Sequence, residues 1–282
     1  MEKVFENFRC RLIALDLDGT LLNSQKELSE RNRAALEAAS KKGIYIVPST
    51  GRFYGGTPES VRGMDFLEYA IVVNGAQVYD IKGGGSIAKE EIPWETSEKI
   101  YDILDRLPVI YDCYTGGAGY MDEEQCGRID EFIKEPQING MIKMLNTPVH
   151  DFRKFAERGR YPSQKIEMFF LDEEMRQKTW KMLEEKFPEL ILTSSISNNI
   201  EMNAENANKG EALKSLCAYL NIDPGDVIAF GDSSNDVSML RAAGIGVAMG
   251  NASEEFKGIA DYVADTNDND GVAKVIEKFC LR

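Results

Sequence analysis

Runs of two to five mostly apolar residues, each closed by a charged or turn-forming residue, recur toward both ends of the chain. The first is Leu12–Leu15, bounded by Arg11 and Asp16, and others fall at 44–47, 70–73, 227–230, 245–249 and 262–263. Such runs are too short for helices and read as strands buried on both faces. Helical stretches with recognisable ends lie between them. Ser29 caps a helix over 30–42 that stops at Gly43, and Thr57-Pro58 opens a shorter one. Residues 211–220 carry Ala212, Leu213, Leu216, Cys217 and Leu220 at helical spacing. A helix over 235–243 ends at Gly244, another starts at Ser253, and a last one follows Gly271. Strands alternating with helices predict βαβ units and a parallel sheet.

From residue 85 to 203 the pattern changes character. Gly83-Gly84-Gly85 reads as a hinge or hairpin tip, followed by an extended stretch at 87–92, a helix near 95–106, a strand at 109–115 and a glycine-rich turn at 116–119. Residues 122–160 are polar and mixed, with helical pieces. Residues 165–171 alternate like a half-buried strand. Asp172 caps a helix reaching 187, with Met175, Thr179, Met182 and Leu183 on one stripe. Two closely spaced strands follow at 190–193 and 200–202. The expectation is an α+β domain over 85–203, inserted into an α/β domain made of 1–84 and 204–282. Residues 1–10 read as a short leader with no assigned role.

Composition narrows the partners. Across 282 residues, 47 acids outnumber 33 bases for a net charge of −14, which disfavours nucleic acid and anionic membrane, since both need a basic footprint. An anionic substrate would need local positive charge from a metal or a few placed bases. No apolar run approaches a membrane span, and the first residues lack a signal-peptide core. The five cysteines (10, 113, 126, 217 and 280) form no CxxC pair, which fits reduced thiols and a cytoplasmic setting better than disulfides or zinc. The single histidine, His150, excludes any mechanism that needs two.

The chemistry concentrates in Asp16-Leu17-Asp18-Gly19-Thr20, directly after the first strand. Residues i and i+2 of a strand share a face, so both acids are expected to point into one small volume. Like charges held together cost free energy unless a cation or a reaction uses them. Three more segments follow strand ends or open a helix: Ser49-Thr50-Gly51-Arg52, Lys209-Gly210 and Gly231 to Asp236. Ligands of open α/β sheets bind outside the carboxyl ends of the strands, so these segments are expected to converge. Asp16 and Asp232 would share a hard cation, which the absence of a Cys/His cluster points away from zinc and toward Mg2+. Ser49, Thr50 and Lys209 would hold a phosphate. One aspartate could then attack phosphorus while the other moves protons. Taken singly, Lys209 reads as a solvated lysine, Ser49-Thr50 as turn chemistry and 231–236 as a capped helix start. Their order and strand context together favour the joint reading.

These segments resemble the haloacid dehalogenase-like superfamily and, within it, the Cof-like phosphatases, whose α+β cap is inserted after the third core strand. The resemblance covers essentially the whole chain after residue 10 and rests on ALDLDGTLLNS (14–24), PSTGR (48–52), IVVNGA (71–76), NKGEALKSL (208–216), FGDSSNDVSML (230–240) and residues 246–273. It implies a Rossmann-like doubly wound parallel sheet with an α+β cap that carries substrate choice. Gly116 to Tyr120 and Ser194 to Asn199 are the cap segments expected to face the substrate. It implies Asp16 as nucleophile and Mg2+ ligand, and Asp18 as acid/base that also gives its main-chain carbonyl to the metal. Thr50, with Gly51 beside it, would bind the transferring phosphoryl group. Lys209 would steady its charge, and Asn235, Leu17 and Arg52 would contact phosphate or substrate. Asp232 would be a metal ligand, with Asp236 and Ser233 contributing to the metal shell. The expected activity is hydrolysis of small phosphorylated metabolites, sugar phosphates first, by a monomer or weak homodimer. A phosphotransferase or mutase, and a signalling domain that keeps its aspartyl-phosphate, are the alternatives.

Overall fold

The structure is a computed structural model that describes Phe5 and residues 8–281; the expectation of a leader over 1–10 falls largely outside the described residues. The chain forms two compact units. One runs to Lys89 and resumes at Ala207, and the other spans Glu90–Asn206.

The first unit begins with β1 (Leu12–Leu15), α1 (Glu30–Lys41), β2 (Tyr45–Pro48) and α2 (Glu59–Arg62). It continues through β3 (Tyr69–Val72), β4 (Gln77–Asp80) and β5 (Gly85–Lys89). The second unit contains α3 (Trp94–Leu104), β6 (Ile110–Thr115), β7 (Ala118–Asp122), α4 (Glu123–Cys126), α5 (Ile129–Phe132) and α6 (Pro136–Leu145). It ends with β8 (Asn146–Val149), α7 (Phe152–Gly159), β9 (Lys165–Phe169), α8 (Glu173–Lys186), β10 (Leu190–Thr193) and β11 (Asn199–Ala204). The first unit then resumes with α9 (Lys209–Leu220), β12 (Val227–Gly231), α10 (Val237–Ala242) and β13 (Ile245–Ala248). Its last elements are α11 (Glu254–Lys257), β14 (Tyr262–Val263) and α12 (Gly271–Phe279).

In the first unit, five parallel strands lie in the order β14-β13-β12-β1-β2. Leu12 of β1 sits opposite Val227 on one side and Tyr45 on the other. Alternate side chains feed two separate cores. Ile13, Leu15, Ile228 and Phe230 pack with residues of α1 and α12, whereas Leu12, Ala14, Val227 and Ala229 pack with residues of α9 and α10. Both faces are therefore covered, which explains why these strands read as unbroken apolar runs. Each such aliphatic side chain contributes roughly 1.5–3 kcal/mol by leaving water. The helices start where the capping residues direct: Ser29 accepts from the Asn32 N–H, and Asn208 from the Gly210 and Glu211 N–H groups.

The expected third parallel strand meets the segment leaving β2 through a parallel Ser49–Ile71 bridge, with Thr50 N–H donating to the Ile71 carbonyl and Val73 N–H to the Arg52 carbonyl. Val73 turns left-handed at φ 51° directly after β3, and the chain folds into the antiparallel meander β3-β4-β5. Because β5 pairs with β4, residues 85–89 belong to the first unit and the crossing lies beyond the expected 84/85. The return crossing lies beyond 203/204 because β11 extends to Ala204.

The inserted unit is built on a six-stranded sheet, β10-β11-β9-β6-β7-β8. Tyr111, Cys113, Ile166, Met168, Ile200 and Met202 pack with residues of α3, α7 and α8. Asp112, Lys165, Glu167 and Glu201 alternate with them along the same strands, and all four are buried. Strand β9, expected to be half-buried, is thus buried along its whole length. Lys165 Nζ lies 2.7 Å from Glu167 Oε2 and 3.4 Å from Glu201 Oε1. The turn at Gly116-Gly117 closes the β6–β7 hairpin, with both glycines at positive φ.

Candidate active site

Strands β1, β2 and β12 are neighbours, so the segments leaving their carboxyl ends are brought together. Asp16 follows β1, Ser49 to Arg52 follow β2, and Asp232 follows β12. Lys209, the first residue of α9, has a fully buried side chain whose Nζ donates to Asp16 Oδ1 at 2.7 Å and to Asp236 Oδ1 at 2.6 Å. Burial acts against its charge, but the two carboxylates outweigh this and hold the ammonium above the usual lysine range. Burial pushes Asp16 up to about 8, with the Lys209 charge opposing and the Asp236 and Asp232 charges adding to the rise. Desolvation, then the Asp236 charge, raises Asp232 to about 6.

Asp16, Asp232 and Asp236 each offer a carboxylate oxygen within 4.8 Å of the others. Their remaining hydrogen bonds set them apart. Asp236 is saturated, with Oδ1 on Lys209 and Oδ2 accepting from the Asp232 and Ser233 N–H groups at 3.0 and 3.2 Å. Asp232 Oδ1 accepts from Thr20 Oγ1 at 2.9 Å, and Asp16 uses only Oδ1. Asp16 Oδ2 and Asp232 Oδ2 are engaged by none of the described residues. A buried and a half-buried carboxylate, both partly unpaired and with raised pKa values, fit a divalent cation as hard oxygen donors. Gly19 permits this arrangement: at φ +89° a Cβ there would lie 2.5 Å from Asp232 Oδ2.

Asp18 has a different environment. Strand β1 ends at Leu15, and the chain then coils, with Leu21 N–H donating to the Asp16 carbonyl and Leu22 N–H to the Leu17 carbonyl. The strand argument for residues i and i+2 therefore ends at Leu15, and the two acids take separate hydrogen-bond partners. Arg52 Nε donates to Asp18 Oδ2 at 3.1 Å and Nη2 to Oδ1 at 3.0 Å, while Lys26 Nζ lies 3.0 Å from Oδ1. Burial alone would raise this carboxyl, but the two cations outweigh it and hold it below the usual range.

Thr50 is buried and its Oγ1 accepts from the Arg52 N–H at 3.2 Å. Ser49 Oγ is buried with no hydrogen-bond partner among the described residues. A Cβ on Gly51 would stand 3.0 Å from Asn74 Oδ1. The Leu17 side chain lies in the core, so only its main chain can serve a ligand. Asn235 is exposed and donates from Nδ2 to Asn74 Oδ1 at 3.3 Å. Ser233 is exposed; its N–H donates to Asp236 Oδ2 at 3.2 Å and its Oγ to Asn235 Oδ1 at 2.7 Å. Four participants carried no separate assignment from the sequence: Thr20 on Asp232, Lys26 on Asp18, Asn251 donating to the Gly19 carbonyl at 2.8 Å, and Asn74. Thr20, Asn74 and Asn251 lie inside the family motifs; Lys26 has no local signal, since its contact depends on a left-handed residue at φ 63°.

The family model for haloacid dehalogenase-like hydrolases matches residues 13–276. Phosphatase YwpJ of Bacillus subtilis is 36% identical over 294 aligned positions, covering 95% of this chain and 99% of that protein. The same organism's 5-amino-6-(5-phospho-D-ribitylamino)uracil phosphatase YcsE is 32% identical over 276 positions, covering 98% of both. Among solved structures, a haloacid dehalogenase-like hydrolase from B. subtilis superposes with a TM-score of 0.79 at 34% identity, covering 95% of this chain and 99% of that one. Another from Bacteroides thetaiotaomicron gives 0.83 at 28%, covering 96% and 99%. The chain belongs to the haloacid dehalogenase-like hydrolases. Within them it is a phosphatase of the Cof-like kind.

Proposed function

We propose that the chain is a Mg2+-dependent phosphomonoesterase acting on small phosphorylated metabolites through an aspartyl-phosphate on Asp16. Sugar and polyol phosphates are the first candidates, and the ribityl phosphate in the name of YcsE supports that class. The observation that carries the reading is the buried Lys209 joined to Asp16 and Asp236, beside the open oxygen of Asp232. Asp16 and Asp232 would hold the metal directly, and Asp236, saturated by Lys209 and two N–H groups, would support it from behind. Bound there, Mg2+ supplies positive charge that offsets the acidic cluster and the incoming phosphate.

Asp16 attacks phosphorus with its carboxylate while the bond to the leaving oxygen breaks and Asp18 gives that oxygen a proton. Asp18 then takes a proton from water, which attacks the acyl phosphate, releasing inorganic phosphate and restoring Asp16. The Arg52 and Lys26 pairing keeps Asp18 as a carboxylate, which suits the second half directly. The first half needs a proton on Asp18, and an anionic substrate that draws Arg52 away favours it. Thr50 Oγ1 and Lys209 Nζ meet the charge on the transferring group. Substrate choice is assigned to the inserted unit, and a cytoplasmic setting agrees with all five cysteines being free thiols.

The test is release of inorganic phosphate from a panel of phosphorylated sugars and polyols, with and without chelator. Metal-dependent turnover supports the reading. A long-lived phosphoprotein without turnover would favour the signalling alternative, and transfer to an added alcohol the phosphotransferase.

A further inference from the structure

The turn after β3 is backbone-strained and knitted to three parts of the site. Val73, Asn74 and Gly75 are all at positive φ (51°, 54° and 100°), and Val73 is a buried β-branched residue, for which this conformation is a genuine outlier. The turn is held by Val73 N–H on the Arg52 carbonyl and Asn74 N–H on the Thr50 carbonyl, both at 3.0 Å. A Cβ on Gly75 would lie 2.3 Å from the Asn208 carbonyl carbon and 2.8 Å from Lys209 N. The left-handed path therefore lets the turn sit against the start of α9 while presenting the Asn74 side chain toward Asn235.

We propose that Asn74 is a positioning residue which, together with Ser233, fixes the Asn235 carboxamide so that its second N–H is free to donate to the phosphoryl group. This rests on the phosphatase reading above. Both ends of the Asn235 amide are engaged: Ser233 Oγ donates to its oxygen at 2.7 Å, and its nitrogen donates to Asn74 Oδ1 at 3.3 Å. An amide nitrogen has two hydrogens, and none of the described residues accepts the second. With both ends held, the amide cannot turn its oxygen toward an incoming anion. Ser233 thereby acquires a role other than metal ligation: it anchors the oxygen end of the donor.

Substitution by glycine separates the side chain from the backbone. Glycine accepts φ +54° without strain, so Asn74→Gly removes the carboxamide while leaving the turn at least as comfortable. We expect Asn74→Gly to keep its thermal midpoint, to weaken competitive inhibition by inorganic phosphate about tenfold, and to lower kcat/KM by a similar factor, the worth of one hydrogen bond to a charged group. Asn235→Ala should show the same losses. The double variant should be no worse than Asn235→Ala alone, because Asn74 acts through Asn235. Wild-type kinetics and phosphate inhibition in a folded Asn74→Gly variant would overturn the proposal, as would additive losses in the double variant. Asp16→Asn is assayed in parallel. A wild-type protein that neither hydrolyses phosphate esters nor binds phosphate overturns the phosphatase reading and this inference together, whereas normal wild-type turnover with an indifferent Asn74→Gly overturns this inference alone.

Discussion

Lys209 Nζ donates to Asp16 Oδ1 at 2.7 Å across 193 positions of sequence, from a side chain with no exposure to solvent. The contact joins the first strand's end to the helix that resumes the core after the inserted unit, so the site is complete only when both halves of the first unit are folded together.

Lys209→Met should therefore be costly in two ways. It leaves Asp16 and Asp236 buried beside each other without their cation, a change expected to destabilise by about 3–5 kcal/mol. It also removes the proposed charge partner of the phosphoryl group, and kcat should fall by about a hundredfold or more. Denaturant unfolding and steady-state kinetics on the same variant check both. A Lys209→Met protein as stable as wild type would mean that the buried pair contributes nothing.

Metal dependence should separate Asp232 from Asp236. Chelator should abolish hydrolysis, and added Mg2+ should restore it and raise the thermal midpoint, since ligand at about 100 times its Kd adds about 2.7 kcal/mol. Asp232→Asn should raise the Mg2+ concentration for half-maximal activity strongly while leaving the metal-free midpoint near or above the wild-type value. Desolvation holds Asp232 at about 6 without metal, so its charge is a burden on the apo fold. Asp236→Asn should lower the metal-free midpoint instead, because its single remaining oxygen can serve either Lys209 or the Asp232 and Ser233 N–H groups, while its NH2 faces the donor left over. Equal Mg2+ requirements in wild type and Asp232→Asn would contradict the assignment.

The inserted unit carries a separate pH dependence. Asp112 is buried, accepts from Asn146 Nδ2 at 2.7 Å, and leaves its Oδ1 without a partner, as Asn146 leaves its own Oδ1. Burial, reinforced by the Glu167 charge, raises the Asp112 carboxyl well above the usual range. The unfolded chain sheds this proton near pH 3.9 while the folded one keeps it, so stability falls as pH rises, by about 1.4 kcal/mol per unit until the folded group also ionises. Asp112→Asn removes that slope and gives the Asn146 oxygen a neighbouring N–H. The variant should be more stable than wild type at pH 7, with the gap closing toward pH 4. Glu167, also raised by burial, contributes a slope of the same sign that remains in the variant. Unfolding curves across that range decide the matter, and a gap independent of pH would contradict it.

The parallel sheet was legible because strands covered on both faces, such as Leu12–Leu15 and Val227–Gly231, appear as unbroken apolar runs. Asp16, Lys209 and Asp232 were legible because each follows a strand or opens a helix. What was hidden depends on backbone sign and distant partners. The different role expected of Asp18 was legible from the resemblance, but its pairing with Arg52 and Lys26 beyond the end of β1 was not. Ser233 reads as a contributor to the metal shell, and its hydrogen bond to Asn235 carries no signal in the sequence. The helix expected from 235 begins with a 3-10 turn at Ser234–Asp236, because the Asp236 carboxylate folds back onto two N–H groups. Asn74 reads as a strand terminator, and only its positive φ and its contact with Asn235, 161 positions away, reveal more.

The proposed attack of Asp16 on phosphorus can be tested directly. The most direct measurement is the rate of p-nitrophenyl phosphate hydrolysis with Mg2+ by wild type and by Asp16→Asn, with the folded state of each confirmed by its unfolding transition. Asp16→Asn keeps an oxygen for Lys209 and relieves the burial cost of a carboxylate, so it should remain folded. It should lose at least about a thousandfold in kcat, as expected for removing a nucleophile, and a quenched reaction should carry phosphate on the wild-type protein alone. Turnover by folded Asp16→Asn within tenfold of wild type would contradict the account.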